Sequence, residues 1–182
     1  IGSYQSSKNW GNRYTSWLKT QNVSTTLLNL ATSGSEIRDI RELQVINIPN
    51  NTDLVMLTAG GNDALFGEAV SNCFSTGIRS ATKCRDSVNY GRSQIADIGD
   101  KTYQLLVELE SRLSPTSEVI LVGYPHLSQD SNYTLKQCIK FDTHTDSCAK
   151  FESYAASKEI RKAGTEFNQM QKDLVNSWNK SH

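Results

Sequence analysis

The sequence predicts an α/β protein: a parallel sheet held between two layers of helices. Three observations predict it. Helical apolar stripes alternate along the chain with short continuous apolar runs. The clearest of those runs, Leu54 to Thr58, has the unbroken apolar character of a strand buried on both faces, as parallel strands are. The 182 residues are one domain's length and contain no repeat, linker or low-complexity segment, so a single domain over 1–182 is expected.

The elements follow in order. Residues 9–20 place Trp10, Tyr14, Trp17 and Leu18 at i, i+4, i+7 and i+8, one face of a helix. Thr25 to Ala31, TTLLNLA, is short and rich in strand formers and stops at Thr32-Ser33-Gly34. Glu36 to Val45 reads as a short helix with Ser35 as its N-cap. Pro49-Asn50-Asn51 then breaks the chain ahead of the strand Leu54 to Thr58. Residues 66–86 read as a loop-rich insertion. Ile95, Ile98, Leu105, Leu109 and Leu113 keep helical spacing in a long helix, weakened at Gly99 and ended by Ser114-Pro115. Glu118 to Gly123, EVILVG, is a further buried strand, and residues 128–150 form a polar loop. The last helix carries an apolar stripe of Ile160, Ala163, Phe167, Met170, Leu174 and Trp178. Trp10, Trp17 and Trp178 lie on apolar helix faces and are expected in the core; Arg38, Arg41 and Glu42 read as a solvated helix face.

Charge and composition exclude several classes of function. Lysine plus arginine equals aspartate plus glutamate, 19 against 19, which gives no reason to expect nucleic acid or an anionic membrane. No apolar run approaches the roughly 18 residues of a membrane-spanning helix. The four cysteines show no C-x-x-C spacing and histidine is scarce, so no metal and no cofactor is expected. Four cysteines allow three connectivities; pairing neighbours, Cys73 with Cys84 and Cys138 with Cys148, closes two local loops. Paired cysteines, N-x-S/T sequons such as those at Asn22, Asn132 and Asn179, and a Ser/Thr/Asn-rich composition favour a secreted protein, and a monomer is expected. The chain opens Ile1-Gly2-Ser3 with neither a methionine nor a signal region, so a processed chain or a fragment is expected.

Chemistry is expected at strand ends, where ligands sit in open α/β sheets. Two carry unusual residues: Ser33-Gly34-Ser35, and Gly60-Gly61-Asn62-Asp63. Glycine permits positive φ and close approach of a ligand to the backbone. The Asn62 amide and the Gly34 N–H are neutral donors, and two such donors converging on one point suit an oxyanion. The plainer reading of Gly-Gly-Asn-Asp is a tight turn, since these are turn-forming residues.

TAGGNDALFG, residues 58–67, resembles the third conserved block of the SGNH (GDSL-type) hydrolases, whose core is G-x-N-D. NLATSGS, residues 29–35, is similar to their second block, and VILVGYPHL, residues 119–127, to a later strand that reads G-Y-P in many secreted members. The cysteine pairs also fall where extracellular members often have disulfides. The resemblance covers most of the chain, from Leu28 to the last helix, and implies a flavodoxin-like α/β/α sandwich. It implies hydrolysis of an ester, of a lipid, an acylated carbohydrate or a small molecule, through an acyl-serine intermediate. By the same resemblance Gly34 and Asn62 are oxyanion-hole donors, with Gly60 and Gly61 structural beside them. Asp63 is expected to hold the loop through backbone N–H groups.

Two family blocks have no counterpart. There is no G-D-S, and IGS at 1–3 is similar to the residues that follow that block; D-x-x-H is also missing. The nucleophile, its base and the first and last strands are therefore expected outside this chain, which alone would be inactive. Among substitutes, Ser3 has no preceding strand. His182 follows Asn179, and asparagine cannot stabilise an imidazolium as a carboxylate does. His126 is placed to line a cleft, and His144 lies in a polar loop. The rival to an ester hydrolase is a non-catalytic carbohydrate- or acyl-binding module on the same fold, followed by a disulfide-stabilised interaction domain.

Overall fold

The computed structural model describes residues 6–75, 80–127 and 156–182. Helix α1 (Trp10–Thr20) is followed by irregular chain with turns and then by α2 (Ile37–Asp39), which continues as a π turn over Ile40–Gln44 and a 3-10 turn over Val45–Asn47. Strand β1 (Thr52–Leu57) leads to helices α3 (Phe66–Phe74), α4 (Ala81–Ser93) and α5 (Ile95–Glu110); strand β2 (Leu113–Leu121) and helix α6 (Ala156–Ser181) complete the order.

The two strands pair in parallel, with Val55 opposite Val119, Met56 opposite Ile120 and Leu57 opposite Leu121. Val55, Leu57 and Val119 pack on a core of Ile37, Val45, Ile98, Leu105, Leu106, Leu109 and Phe167. That core is the inward faces of α2, α5 and α6. On the other face of the sheet Leu54 and Met56 are half-buried and Ile120 is 38% exposed, so the strands are packed more tightly on one side than the expected burial on both. The N-terminal part of β2 is irregular: the partner of Thr52 is Leu113 but that of Leu54 is Glu118. Pro115 lies in this slack, where its missing N–H breaks no ladder bond. Ser-Pro thus sits inside β2, and α5 ends before it.

Several expectations are corrected. Residues 25–31 form neither strand nor helix, and Leu27 and Leu28 are 42% and 52% exposed. Strand propensity describes a fit to a pleated, half-buried surface, and without that burial it does not specify a strand. Ser35 is not the cap of α2; Glu36 is, its N–H donating to Asp39 Oδ2 at 3.0 Å, while the Ser35 hydroxyl accepts from Gln44. Trp10 and Trp17 are half-exposed; of the three tryptophans only Trp178 joins the core, edge-on to Tyr103. Arg41 pairs with Glu108 of α5 and so ties α2 to that helix.

Among the described residues of the insertion at 66–86, most are helical, in α3 and the first turns of α4, and not loop-rich. Cys73 of α3 and Cys84 of α4 are disulfide-bonded and fully buried, with Val88 and Ile160 around them. The bridge supplies an apolar centre that lets two short helices pack, where helices of this length are marginal alone. Cys138 and Cys148 lie outside the described residues. Gly99, which weakens α5 by propensity, has a packing reason: an added Cβ would come within 3.2 Å of Met170 Sδ on α6.

One glycine fixes how β1 ends. Gly60 has φ +92°, and a Cβ there would lie 2.6 Å from Ile98 Cγ2 and 2.9 Å from Phe167 Cζ. Left-handed strain and overpacking therefore combine, and Gly60→Ala should lower unfolding stability by about 2–4 kcal/mol. Urea denaturation followed by circular dichroism checks this; an unchanged midpoint would show that the turn is not held as described.

Candidate functional site

The chain leaving β1 turns at once. Ala64 N–H donates to Gly60 O, Leu65 N–H to Asn62 O and Phe66 N–H to Gly61 O, so residues 60–66 form a coiled connection into α3. The turn presents Asn62 and Asp63 toward the loop of residues 33–37. Asn62 Nδ2 donates to Ser35 O at 2.7 Å, and Asp63 Oδ2 accepts from Ile37 N–H at 3.0 Å. Two adjacent side chains thus clamp the segment that contains Gly34. That glycine has φ +81°, is exposed and faces open space, and no acceptor among the described residues takes its N–H. The structure therefore brings Gly34 and Asn62 into one patch at the carboxyl end of β1. An amide nitrogen carries two hydrogens, and Ser35 takes one of those of Asn62.

Asp63 differs from Asn62 in burial. Its side chain is 4% exposed, against an exposed Asn62. A buried carboxylate needs donors or a counter-charge. Ile37 N–H is the donor, and Lys101 Nζ lies 4.0 Å from Oδ1. The Lys101 pKa is raised, chiefly by its hydrogen bond to Asp97 at 2.7 Å, which keeps it cationic beside this carboxylate.

Gly61 is fixed from the other strand. Tyr124, just beyond β2, accepts the Gly61 N–H on its hydroxyl at 3.1 Å, and its ring leaves no room for a Cβ at Gly61, the hydroxyl lying 2.8 Å from that position. Tyr124 is itself held from α6: Asn168 Oδ1 accepts from Tyr124 N–H at 3.0 Å and Asn168 Nδ2 donates to Tyr124 O at 2.8 Å. Buried Gln171 donates to Ala59 O at 3.3 Å. Sequence reading did not identify Tyr124, Asn168, Gln171 or Lys101 as contributors. A signal existed for Gln171: it stands four residues after Phe167 and three before Leu174, a polar residue within the apolar stripe.

The other candidates fall elsewhere. His126 is exposed, with Nε2 3.0 Å from Thr165 Oγ1. His182 stacks on Trp178 at the end of α6. Ser3 and His144 lie outside the described residues. Among the described residues no cluster of His, Cys, Asp and Glu is placed to hold a metal ion, and no helix is long and apolar enough to cross a membrane.

Among the described residues a two-strand parallel ladder between helices, with glycine-rich turns at its carboxyl end, places the chain in the α/β class. Comparison with known proteins narrows it. Phospholipase A1 from Streptomyces albidoflavus NA297 superposes with a TM-score of 0.71 over 95% of this chain and 64% of its own, at 19% identity. An extracellular lipase from Streptomyces rimosus superposes with the same TM-score over 97% of this chain and 66% of its own, at 20% identity. In sequence, a lipase from Streptomyces rimosus is 29% identical over 96 residues, which is 52% of this chain and 34% of that protein. No family model matches the chain. The fold is shared with these two solved enzymes, and the relatives support the resemblance read from TAGGNDALFG. The chain spans about two thirds of the solved structures and matches a third of the curated relative.

Burial raises the Tyr124 pKa above the ordinary 10, against the lowering effect of its hydrogen bonds with Gly61 and Thr58. Between 10 and that raised value the folded protein holds the phenolic proton more tightly than the unfolded chain does. The Tyr124 contribution is therefore complete below pH 10 and is lost as pH rises through the folded value. Tyr124→Phe leaves the Gly61 N–H unpaired and should cost roughly 1–3 kcal/mol at neutral pH. It should also flatten the alkaline fall in stability. Urea midpoints for parent and variant between pH 7 and 11 test both effects, and identical alkaline slopes would contradict the second.

Proposed function

We propose that the complete protein is a secreted ester hydrolase of the lipase class that works through an acyl-serine intermediate, and that this chain supplies its oxyanion hole. The observation that carries the reading is the pair of bonds from Asn62 to Ser35 O and from Asp63 to Ile37 N–H. They join the Gly34 loop to the Asn62 turn at a strand's carboxyl end. The lipase relatives and the shared fold support the same chemistry.

In this reading the second Asn62 Nδ2 hydrogen and the Gly34 N–H point at the position of the developing oxyanion. Both donors are neutral and both are held before substrate arrives, so little reorganisation is needed as charge develops. Asp63 acts only through backbone: it fixes residue 37, and with it the loop that presents Gly34. The serine nucleophile and the histidine base come from parts of the protein beyond these 182 residues. Serine attacks the ester carbonyl, the base takes its proton and returns it to the leaving alcohol, and water then releases the acid by the same route.

Asn62→Ala, made in a protein that carries the nucleophile and base, should lower kcat roughly 10²–10³-fold with a much smaller change in KM. Hydrolysis of p-nitrophenyl butyrate gives both constants. Equal kcat for variant and parent would remove Asn62 from the oxyanion hole.

A further inference from the structure

Gly60 and Gly61 carry the chain from β1 to Asn62, and two consecutive glycines restrict their own backbone less than any other pair. Their orientation must be set from outside. The peptide between them is held at both ends. Its carbonyl, Gly60 O, accepts from Ala64 N–H at 3.0 Å, and its N–H, on Gly61, donates to the Tyr124 hydroxyl at 3.1 Å. The first bond lies within the turn and moves with it. The second ties the turn to the chain just beyond β2. Asn62 follows directly, so a rotation at Gly61 carries its side chain along. The 2.7 Å bond to Ser35 O engages one Asn62 hydrogen. Where the other hydrogen points depends on where the Asn62 backbone stands.

The Tyr124 hydroxyl can fix this peptide because Tyr124 is itself fixed. Its ring stands edge-on to Phe167, with centroids 5.5 Å apart, and tilted against Phe66 at 5.9 Å. Its hydroxyl also bonds with the Thr58 side chain, so it spans the exit of β1 from residue 58 to residue 61. Its backbone is gripped by Asn168 of α6, which accepts from Tyr124 N–H at 3.0 Å and donates to Tyr124 O at 2.8 Å. Both polar atoms of the Asn168 amide thus engage the backbone of one residue. A phenylalanine ring would serve the packing equally well. What the hydroxyl adds is a directed bond to a buried N–H beside the candidate oxyanion donor.

We propose that Tyr124 is a positioning residue for the oxyanion hole: its hydroxyl, anchored through Asn168, sets the Gly60–Gly61 peptide and thereby aims the second amide hydrogen of Asn62. The inference rests on the ester-hydrolase reading and deepens it, because it carries the machinery of the site from the end of β1 to α6. Tyr124 touches no reacting atom and acts through Gly61.

Tyr124→Phe removes the hydroxyl and keeps the ring and both Asn168 bonds. The test is made in a protein that carries the nucleophile and base, well below the melting temperature of each variant. Tyr124→Phe should lower kcat for p-nitrophenyl butyrate about tenfold and leave KM within about twofold, since a misaimed donor weakens transition-state binding alone. Asn168→Ala, which frees the Tyr124 backbone, should act in the same direction. The decisive arm is the double variant. In an Asn62→Ala background, Tyr124→Phe should change kcat by less than about twofold, because the donor that it aims is gone. A hydroxyl that only stabilised the fold would lower kcat by the same factor in both backgrounds. Equal losses in the two backgrounds, or an unchanged kcat for Tyr124→Phe alone, overturn the inference. The ester-hydrolase reading fails on a different arm, an Asn62→Ala variant that turns over like its parent. The aiming of Asn62 is then still decided by heteronuclear NMR of parent and Tyr124→Phe: the Asn62 side-chain amide signals should shift, and signals that stay in place overturn it.

Discussion

Everything at the carboxyl end of the sheet depends on how closely the Gly60-Gly61 backbone approaches its neighbours. The missing Cβ of Gly60 would overlap Ile98 of α5 and Phe167 of α6, and that of Gly61 would overlap the ring of Tyr124. Three elements therefore converge on two residues. With any side chain at these positions, α6 would have to withdraw from the sheet, and Asn168 could no longer reach both backbone groups of Tyr124. The turn direction is a consequence: because the chain cannot continue outward past Phe167, it coils from residue 60 to 66, and Asn62 and Asp63 emerge toward the Gly34 loop. Steric exclusion thus sets the position of the polar groups, and the polar groups then hold the loop.

The polar contacts show a division of labour set by burial. Asp63 is buried and ionic, and its cost is met by one backbone N–H and a lysine that stays charged. Removing the donor would strand a carboxylate in the interior, so this contact is chiefly a constraint on the backbone. Asn62 is exposed and neutral, and its single contact to Ser35 O leaves it a donor to spare. A lysine in its place would bring charge, with strong hydration and a flexible stem. The surface ion pairs Arg41–Glu108 and Arg92–Glu166 join helices to each other, and their partial exposure limits what they add to stability.

Much of this was legible in the sequence, for reasons that differ by element. The stripe Ile160 to Trp178 and the helix from Ile95 are long and periodic, and both helices appear because many side chains agree on one face, although the second ends at Glu110 and Leu113, read as its last apolar residue, begins β2. Leu54 to Thr58 was legible from its unbroken apolar run and the glycines that stop it. Residues 25–31 misled because strand propensity says nothing about whether a neighbour is present. The insertion at 66–86 misled because its helices owe their packing to Cys73 and Cys84, and sequence does not reveal that a disulfide will serve as a core. At the site, glycine and asparagine announced themselves as residue types. Asn168 and Tyr124 act through backbone groups of residues far away in the chain, and that pairing exists only once α6 lies against the end of β2.

The same geometry gives Gly61 two different sides. Toward the Gly34 loop it adjoins Asn62 and Asp63; toward α4 and α6 it faces apolar side chains. The first side is fixed by the sheet and by hydrogen bonds to backbone, and it tolerates little change. The second faces the α3–α4 pair, which packs around a buried disulfide and against α5 and α6. Both α4 and α6 press on the turn: a Cβ at Gly91 of α4 would lie 3.0 Å from Ala64 O, and Phe167 of α6 closes on Gly60. The strand end itself is set by Gly60 and Gly61, whose missing side chains admit Ile98, Phe167 and the ring of Tyr124.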